Sequence, residues 1–275
     1  MGQTAASAVG MQTDRFIDLE DVSLIYGEQE QTLALDKVDM SVKRGNFVAI
    51  VGPSGCGKST LLKLVSGLVP PTTGSVSING SRVTRPVQSV GMAFQNPLLM
   101  PWRTTLKNIV LPLEIVARTP MRYRKHETEH IAKARQLLAS VGLKGFEDKF
   151  PWQLSGGMQQ RASLCRSIIH NPEILLLDEP FGALDSFTRE ELWQAMQDLW
   201  IRERFTAVLV THDLREAVFL ADIIYIMGGR PGNIIKRYEV DFPRPRSIDL
   251  MVNSQFLEIV QELRGFIADA RKSPS

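Results

Sequence analysis

Cysteine is scarce in this chain. Cys56 and Cys165 are the only two in 275 residues, too few for a disulfide scaffold, and a reducing compartment is expected. A dominant charge is missing as well. Lys and Arg number 32 against 30 Asp and Glu, a formal net charge of +2, so no long-range field would draw nucleic acid or anionic lipid. Long apolar runs are also lacking. The best stretch, residues 109–117, is interrupted by Pro112 and Glu114, where a bilayer span needs roughly 18 apolar residues. The opening residues have neither a basic start nor an apolar run, and Ala6 stands where a myristoylation motif beginning at Gly2 wants Ser or Thr. These gaps predict a protein on the cytoplasmic side. What is present, 44% hydrophobic and 23% charged residues, excludes disordered and collagen-like chains. The length suits one large two-lobed domain or two modest ones.

Residues 2–13 are small and polar and read as a frayed tail. Ile17, Leu19, Val22, Leu24 and Tyr26 then alternate with polar residues but change parity at Asp21, which predicts a strand with a bulge. Further strand-like runs at 32–35, 39–42 and 76–78 suggest an antiparallel sheet built around the stronger strand 47–51. From 104 to about 170 the pattern turns helical, with Ile131, Ala134, Leu137, Leu138 and Val141 on one face. Apolar runs at 174–177, 207–210 and 223–227 then alternate with helix-like segments at 190–202 and 214–220, which implies a parallel sheet. A Pro/Arg-rich passage at 242–247 reads as a linker to an amphipathic stretch at 256–270.

The first chemical motif is Gly52-Pro53-Ser54-Gly55-Cys56-Gly57-Lys58-Ser59, followed by Thr60. It fits G-x-x-x-x-G-K-[ST] and lies between strand 47–51 and a helical segment, the context that a phosphate-binding loop requires. Glycines at 52, 55 and 57 let backbone N–H groups converge on a phosphate chain at the positive end of a helix. Lys58 suits the β- and γ-phosphate oxygens, and the Ser59 hydroxyl suits Mg²⁺. Cys56 inside the loop reads as filling it. A second carboxylate must emerge from a buried strand nearby. Residues 174–177 supply that strand, Asp178 the Mg²⁺ ligand and Glu179 a candidate base for attacking water. A helix N-cap is the plainer reading of two such acids.

Between these lies Leu154-Ser155-Gly156-Gly157-Met158-Gln159-Gln160-Arg161, and here the chain resembles the ATP-binding-cassette ATPases. Ser155, Gly156 and Gly157 open a helix and form a second anion site. The resemblance implies an α/β P-loop ATPase with a RecA-like core, an antiparallel β subdomain and a helical lobe. It also implies a γ-phosphate and metal sensor at Gln95, a switch histidine at His212, a dimer-communication loop at 182–185, and adenine stacking at Tyr26, for which a core tyrosine is the alternative. In this family two cassettes meet head to tail, each ATP lying between one P-loop and the partner's signature turn.

Outside the shared core, the residues from Leu98 through Trp102 to Asn108, the Gly229-Arg230-Pro231-Gly232 segment and Pro243-Arg244-Pro245-Arg246 resemble the ATPase subunits of nitrate, sulfonate and taurine importers. That implies ATP and Mg²⁺ as cofactors, a second ATPase subunit as a homodimer, separate transmembrane permease subunits docking near Pro101 and Trp102, and indirectly a periplasmic or extracellular solute-binding protein. A domain-seam tryptophan is the alternative for Trp102. Nucleic acid is not expected as a partner, and the place is the cytoplasmic face of the inner membrane. The expected division is a tail at 1–14, an ATPase domain at 15–240 with its helical lobe at about 98–170, and an extension at 241–275. Two rival readings fit the sequence less well. A nucleic-acid mechanoenzyme of the same superfamily would separate the P-loop and the Asp strand by hundreds of residues or carry two cassettes, and a regulatory module without turnover would lack Glu179. His126 and His130 have no further ligand pattern for zinc, Cys165 sits on an apolar stripe, and the basic run 122–125 reads as solvated.

Overall fold

The computed structural model describes residues 15–27, 30–117, 119–182 and 184–272; the expected tail lies outside them. Strands β1 (Ile17–Tyr26) and β2 (Thr32–Val42) precede β3 (Phe47–Val51), which leads into α1 (Lys58–Val65). Then come β4 (Thr73–Ile78), β5 (Ser81–Arg82) and β6 (Val90–Phe94), and the helices α2 (Thr105–Val116), α3 (Pro120–Lys125), α4 (Glu127–Ser140) and α5 (Gly156–Ile168). The remainder alternates through β7 (Ile174–Asp178), α6 (Ser186–Glu203), β8 (Thr206–Val210), α7 (Leu214–Leu220), β9 (Ile223–Met227) and β10 (Ile234–Glu239), then α8 (Ser254–Lys272). No helix among the described residues is long and apolar enough to cross a membrane.

The larger sheet has the order β10-β9-β3-β8-β7-β6. Its neighbours are parallel except for the β9–β10 pair. Its central strands are apolar at nearly every position because both faces are covered. Within β3, Phe47, Ala49 and Val51 join the core beneath the helices, while Val48 and Ile50 join a second core shared with α1 and the smaller sheet.

The smaller sheet, β2-β1-β4-β5, is antiparallel and centres on β1. The expectation that 47–51 anchors this sheet is wrong, since β3 is an inner strand of the parallel sheet. A strand buried on both faces has no alternation, so its own pattern does not say which neighbours it takes. The bulge expected at Asp21 is present. Leu19 faces Met40 and Val22 faces Val38, one extra residue on β1, with Asp21 at φ 48°. A compensating bulge on β2, where Lys37 has φ 44°, joins the two expected runs 32–35 and 39–42 into one strand.

In the helical stretch, Ala134, Leu137, Leu138 and Val141 are buried as the spacing predicts, and Ile131 is half-buried. Helix α5 meets β6 closely at Gly91, where an added Cβ would lie 2.0 Å from the Ser167 carbonyl oxygen.

The Pro/Arg passage is not a loose linker. Arg244 pairs with Asp222 at 2.7 Å and lies over the Trp200 ring. Arg246, 3% exposed, donates to the carbonyls of Val218 (2.9 Å), Phe219 (3.0 Å) and Ala221 (2.8 Å). Those are the acceptors that the end of α7 leaves without helical partners. Burial lowers the Arg246 pKa to about 10, so the side chain stays charged at neutral pH. Phe256 and Leu263 of α8 are buried in the main core. A sequence of alternating Pro and Arg carries no periodicity, which is why only the structure reveals this anchor.

Candidate nucleotide site

The candidate residues gather at the carboxyl ends of the parallel strands, where α/β sheets form their crevices. Strand β3 delivers the loop 52–57, β6 delivers Gln95, β7 delivers Asp178 and Glu179, and β8 delivers His212. Buried β-strands fix these origins, and short turns present the polar side chains.

The loop is held from below. An added Cβ at Gly52 would lie 2.9 Å from the Met227 carbonyl oxygen, and one at Gly57, which has φ 96°, would lie 2.6 Å from Leu35 Cδ2. Gly57 caps α1 without a side-chain hydrogen bond, so the first N–H groups of that helix remain available to an anion. Lys58 is buried, its Nζ donating to the carbonyls of Gly52 (3.0 Å) and Pro53 (2.8 Å). Cys56 is buried beneath the loop, as expected for a filling residue, and burial raises its pKa. Pro53 and Thr60 are half-buried, while Ser54, Gly55 and Ser59 are exposed.

Ser59 Oγ donates to Asp178 Oδ1 at 2.8 Å across 119 residues of sequence. Burial raises the Asp178 pKa, the Ser59 hydrogen bond opposes that shift and Glu179 adds to it. A half-buried carboxylate beside a hydroxyl is the oxygen-rich, incomplete donor set that Mg²⁺ takes when substrate phosphates and water supply the rest. Ser59 and Asp178 therefore fit the metal, and their mutual hydrogen bond occupies the place where they would share it.

Glu179 has φ 48°, and its N–H donates to the Val210 carbonyl at 2.9 Å. Its Oε2 lies 2.9 Å from His212 Nδ1. Gly182 faces both neighbouring loops, since a Cβ there would lie 3.5 Å from Gln95 Nε2 and 3.7 Å from His212 Cε1. The structure thus brings Gln95, Glu179 and His212 to one side of the loop. Gln160 on α5 donates to the Phe94 carbonyl at 3.1 Å, tying the residue before Gln95 to the signature helix.

Ser155 caps α5, its Oγ accepting from Met158 N at 3.3 Å. Ser155 and Gly156 are exposed and Gly157 is half-buried. Tyr26 ends β1, 38% exposed, directly before Gly27. Of the loop 182–185, Ala183 lies outside the described residues.

A family profile described as "ABC transporter" matches residues 35–182. The chain belongs to the ABC transporter family. It is 42% identical over 246 residues to the bicarbonate transport ATP-binding protein CmpD of Synechocystis sp., covering 89% of this chain and 86% of that protein. It is 39% identical over 232 residues to the aliphatic sulfonates import ATP-binding protein SsuB of Bacillus cereus, covering 84% and 88%. Among solved structures, it resembles the ATP-binding cassette MJ0796 in a dimeric, post-hydrolysis state bound to ADP and Pi. There the TM-score is 0.72 and the identity 33%, over 82% of this chain and all of that one. The ABC ATPase fold expected from the sequence is therefore present, and the chain is an ATPase of the transport type.

Several features of this cassette escaped the sequence reading. The Gly229–Gly232 segment abuts the phosphate loop. Arg230 Nε donates to the Gly55 carbonyl at 2.9 Å, and a Cβ on Gly232 would lie 1.9 Å from the Cys56 carbonyl oxygen. Glu216 is buried behind His212 and accepts from Thr211 Oγ1 at 3.0 Å. Burial raises its pKa well above the usual carboxylate range. The only sequence signal for the first of these was the glycine spacing of the Gly-Arg-Pro-Gly segment; Glu216 gave none.

Proposed function

We propose that this chain powers an importer for a small anion of the nitrate, bicarbonate or sulfonate class. It works as a homodimer on the cytoplasmic face of the membrane beneath separate permease subunits that receive solute from an external binding protein. The observation that carries the reading is the separation of two anion-binding turns in one chain. The P-loop with Asp178, Glu179 and His212 is one half-site, open to solvent at Ser54, Gly55 and Ser59, and Ser155 to Gly157 is another, open at Ser155 and Gly156. Head-to-tail pairing of two copies completes both.

In the completed site, Tyr26 stacks on adenine, and the N–H groups of 54–60 with Lys58 hold the phosphates. Ser59, Asp178 and Gln95 would hold Mg²⁺, which would supply neutralisation of the phosphate charge. To bind, Lys58 exchanges its two loop carbonyls for phosphate oxygens, and Ser59 and Asp178 would give up their mutual hydrogen bond to hold the metal. Glu179 Oε accepts a hydrogen bond from water on the far side of the γ-phosphate, and His212, anchored on Glu179, orients toward that phosphate. Catalysis comes from positioning and fixed charge.

The permease contact is supported by exposed apolar surface on the helical side. Trp102 is 72% exposed, and Val90, Met92, Pro112, Ile115 and Val116 line an apolar groove between β6 and α2. The test is reconstitution in vesicles with its permease subunits. ATP-dependent uptake of nitrate, bicarbonate or an alkylsulfonate is expected, and ATP hydrolysis without uptake of any of the three would overturn the substrate class.

A further inference from the structure

The two half-sites of one chain are joined by a short path through the start of α6. On the signature side, Gly157 meets that turn directly, since an added Cβ would lie 2.7 Å from Thr188 Cγ2 and 3.8 Å from Leu184 Cδ2. Arg161 of the signature helix reinforces the contact through Glu191 Oε2 at 2.5 Å. On the catalytic side, a single guanidinium makes the link. Arg189 Nη2 donates to the Leu184 carbonyl at 2.8 Å, and its Nη1 donates to Asp213 Oδ2 at 3.1 Å.

Asp213 is the residue after His212, and its other carboxylate oxygen caps α7 by accepting from Arg215 N at 2.9 Å. Its own N–H donates to Thr211 Oγ1 at 2.9 Å. The turn carrying His212 is thus fixed to its own strand and helix, and Arg189 hangs it on the Leu184 carbonyl. The Arg189 and Asp213 side chains are each about a quarter exposed, 27% and 23%, so water screens the pair less than it would a surface pair.

We propose that Arg189 is a positioning residue that couples the signature turn to the switch histidine of the same chain. Nucleotide held at the signature turn for one site then sets His212 in the other. This inference rests on the paired-cassette reading above. A guanidinium suits the task because its rigid planar fork presents separate N–H donors to a carbonyl and a carboxylate, whereas an ammonium is a compact point charge on a flexible stem. The bland alternative is a brace between α6 and α7 that affects stability alone.

The test uses the full chain. ATP hydrolysis is measured against ATP concentration for wild type, Arg189→Ala and Arg189→Lys, with equilibrium ATP affinity and thermal melting measured alongside. Misplacing a positioned group costs up to the order of 100-fold in rate. Arg189→Ala is expected to lower kcat at least about 5-fold, to bring the Hill coefficient from near 2 toward about 1, and to leave ATP affinity within about twofold. Arg189→Lys, which keeps the charge and loses the span, is expected to recover part of kcat and little of the Hill coefficient.

Arg189→Ala and Asp213→Asn are expected to be non-additive in kcat, because they remove the same link. The inference is overturned if Arg189→Ala keeps the wild-type kcat and Hill coefficient. It is equally overturned if the only change is a lower melting temperature, or if kcat and affinity fall together and Arg189→Lys restores both. A wild-type chain with a Hill coefficient of 1 and no ATP-driven pairing contradicts the dimer reading itself, a result separable from any outcome at Arg189.

Discussion

Gly232→Ala tests whether the hairpin between β9 and β10 sets the shape of the phosphate loop. The added methyl would lie 1.9 Å from the Cys56 carbonyl oxygen, where carbon and oxygen approach no nearer than roughly 3.3 Å. About 1.4 Å of separation must therefore be found, 3.3 minus 1.9. The hairpin cannot supply it cheaply. Gly232 N donates to the Ala34 carbonyl at 3.0 Å, and Asp36 N donates to the Gly232 carbonyl at 2.9 Å, pinning the glycine to β2 from both sides. The loop yields instead, and its N–H groups leave their convergence on phosphate. A displacement near 1 Å costs on the order of 100-fold in a positioned reaction, so kcat/KM for ATP is expected to fall about that far. Overpacking itself should cost only about 1–3 kcal/mol of stability, which leaves the chain folded. Steady-state phosphate release with parallel thermal melting measures both effects. Gly229→Ala, whose methyl would meet nothing nearer than the Ala270 carbonyl at 3.9 Å, is the control and should behave as wild type. A folded Gly232→Ala protein with kcat/KM within twofold of wild type would refute the argument.

Other perturbations probe the buried charges. Arg246→Ala strips the donor from three carbonyl oxygens at the end of α7. At roughly 1 kcal/mol or more per buried acceptor left unmade, about 3 kcal/mol of stability should be lost in a denaturant titration. Glu216→Gln should change the pH dependence of melting. The folded-state pKa of Glu216 is raised well above 4.5 by burial, so the folded chain holds a proton that the unfolded chain releases. Wild-type stability therefore falls as pH rises from about 4.5 through the folded pKa, whereas the glutamine variant lacks this slope. The melting temperature of Glu216→Gln relative to wild type should rise as the pH climbs above about 4.5; a constant difference would show that the carboxyl ionises normally.

Much of this was written plainly in the sequence. The P-loop spacing, the apolar runs of β7, β8 and β9, and the acids after β7 are local patterns, and local patterns survive translation into structure. What stayed hidden depends on pairs far apart in the chain. Arg230 and Gly55 are 175 residues apart, and nothing in either neighbourhood announces the other. The wrong neighbour given to β3 has a different cause. Five consecutive buried residues satisfy either sheet, and only the crossover connections decide. Strand β6 was also missed, because Gly91 breaks its apolar run at the point where the strand must let α5 approach. The passage that holds the anchoring arginines 244 and 246 reads as a linker because sequence shows charge but not the carbonyls that receive it.

The central claim is that ATP is shared between two copies of the chain and that its hydrolysis parts them. Light scattering of Glu179→Gln with ATP and Mg²⁺ tests this most directly, because removing a general base typically slows turnover by about 100- to 10,000-fold while the residues assigned to binding remain. Twice the monomer mass is expected with ATP, the monomer mass with ADP, and only brief pairing for wild type. Glu179→Gln that stays monomeric while saturated with ATP, or that releases phosphate at the wild-type rate, would contradict it.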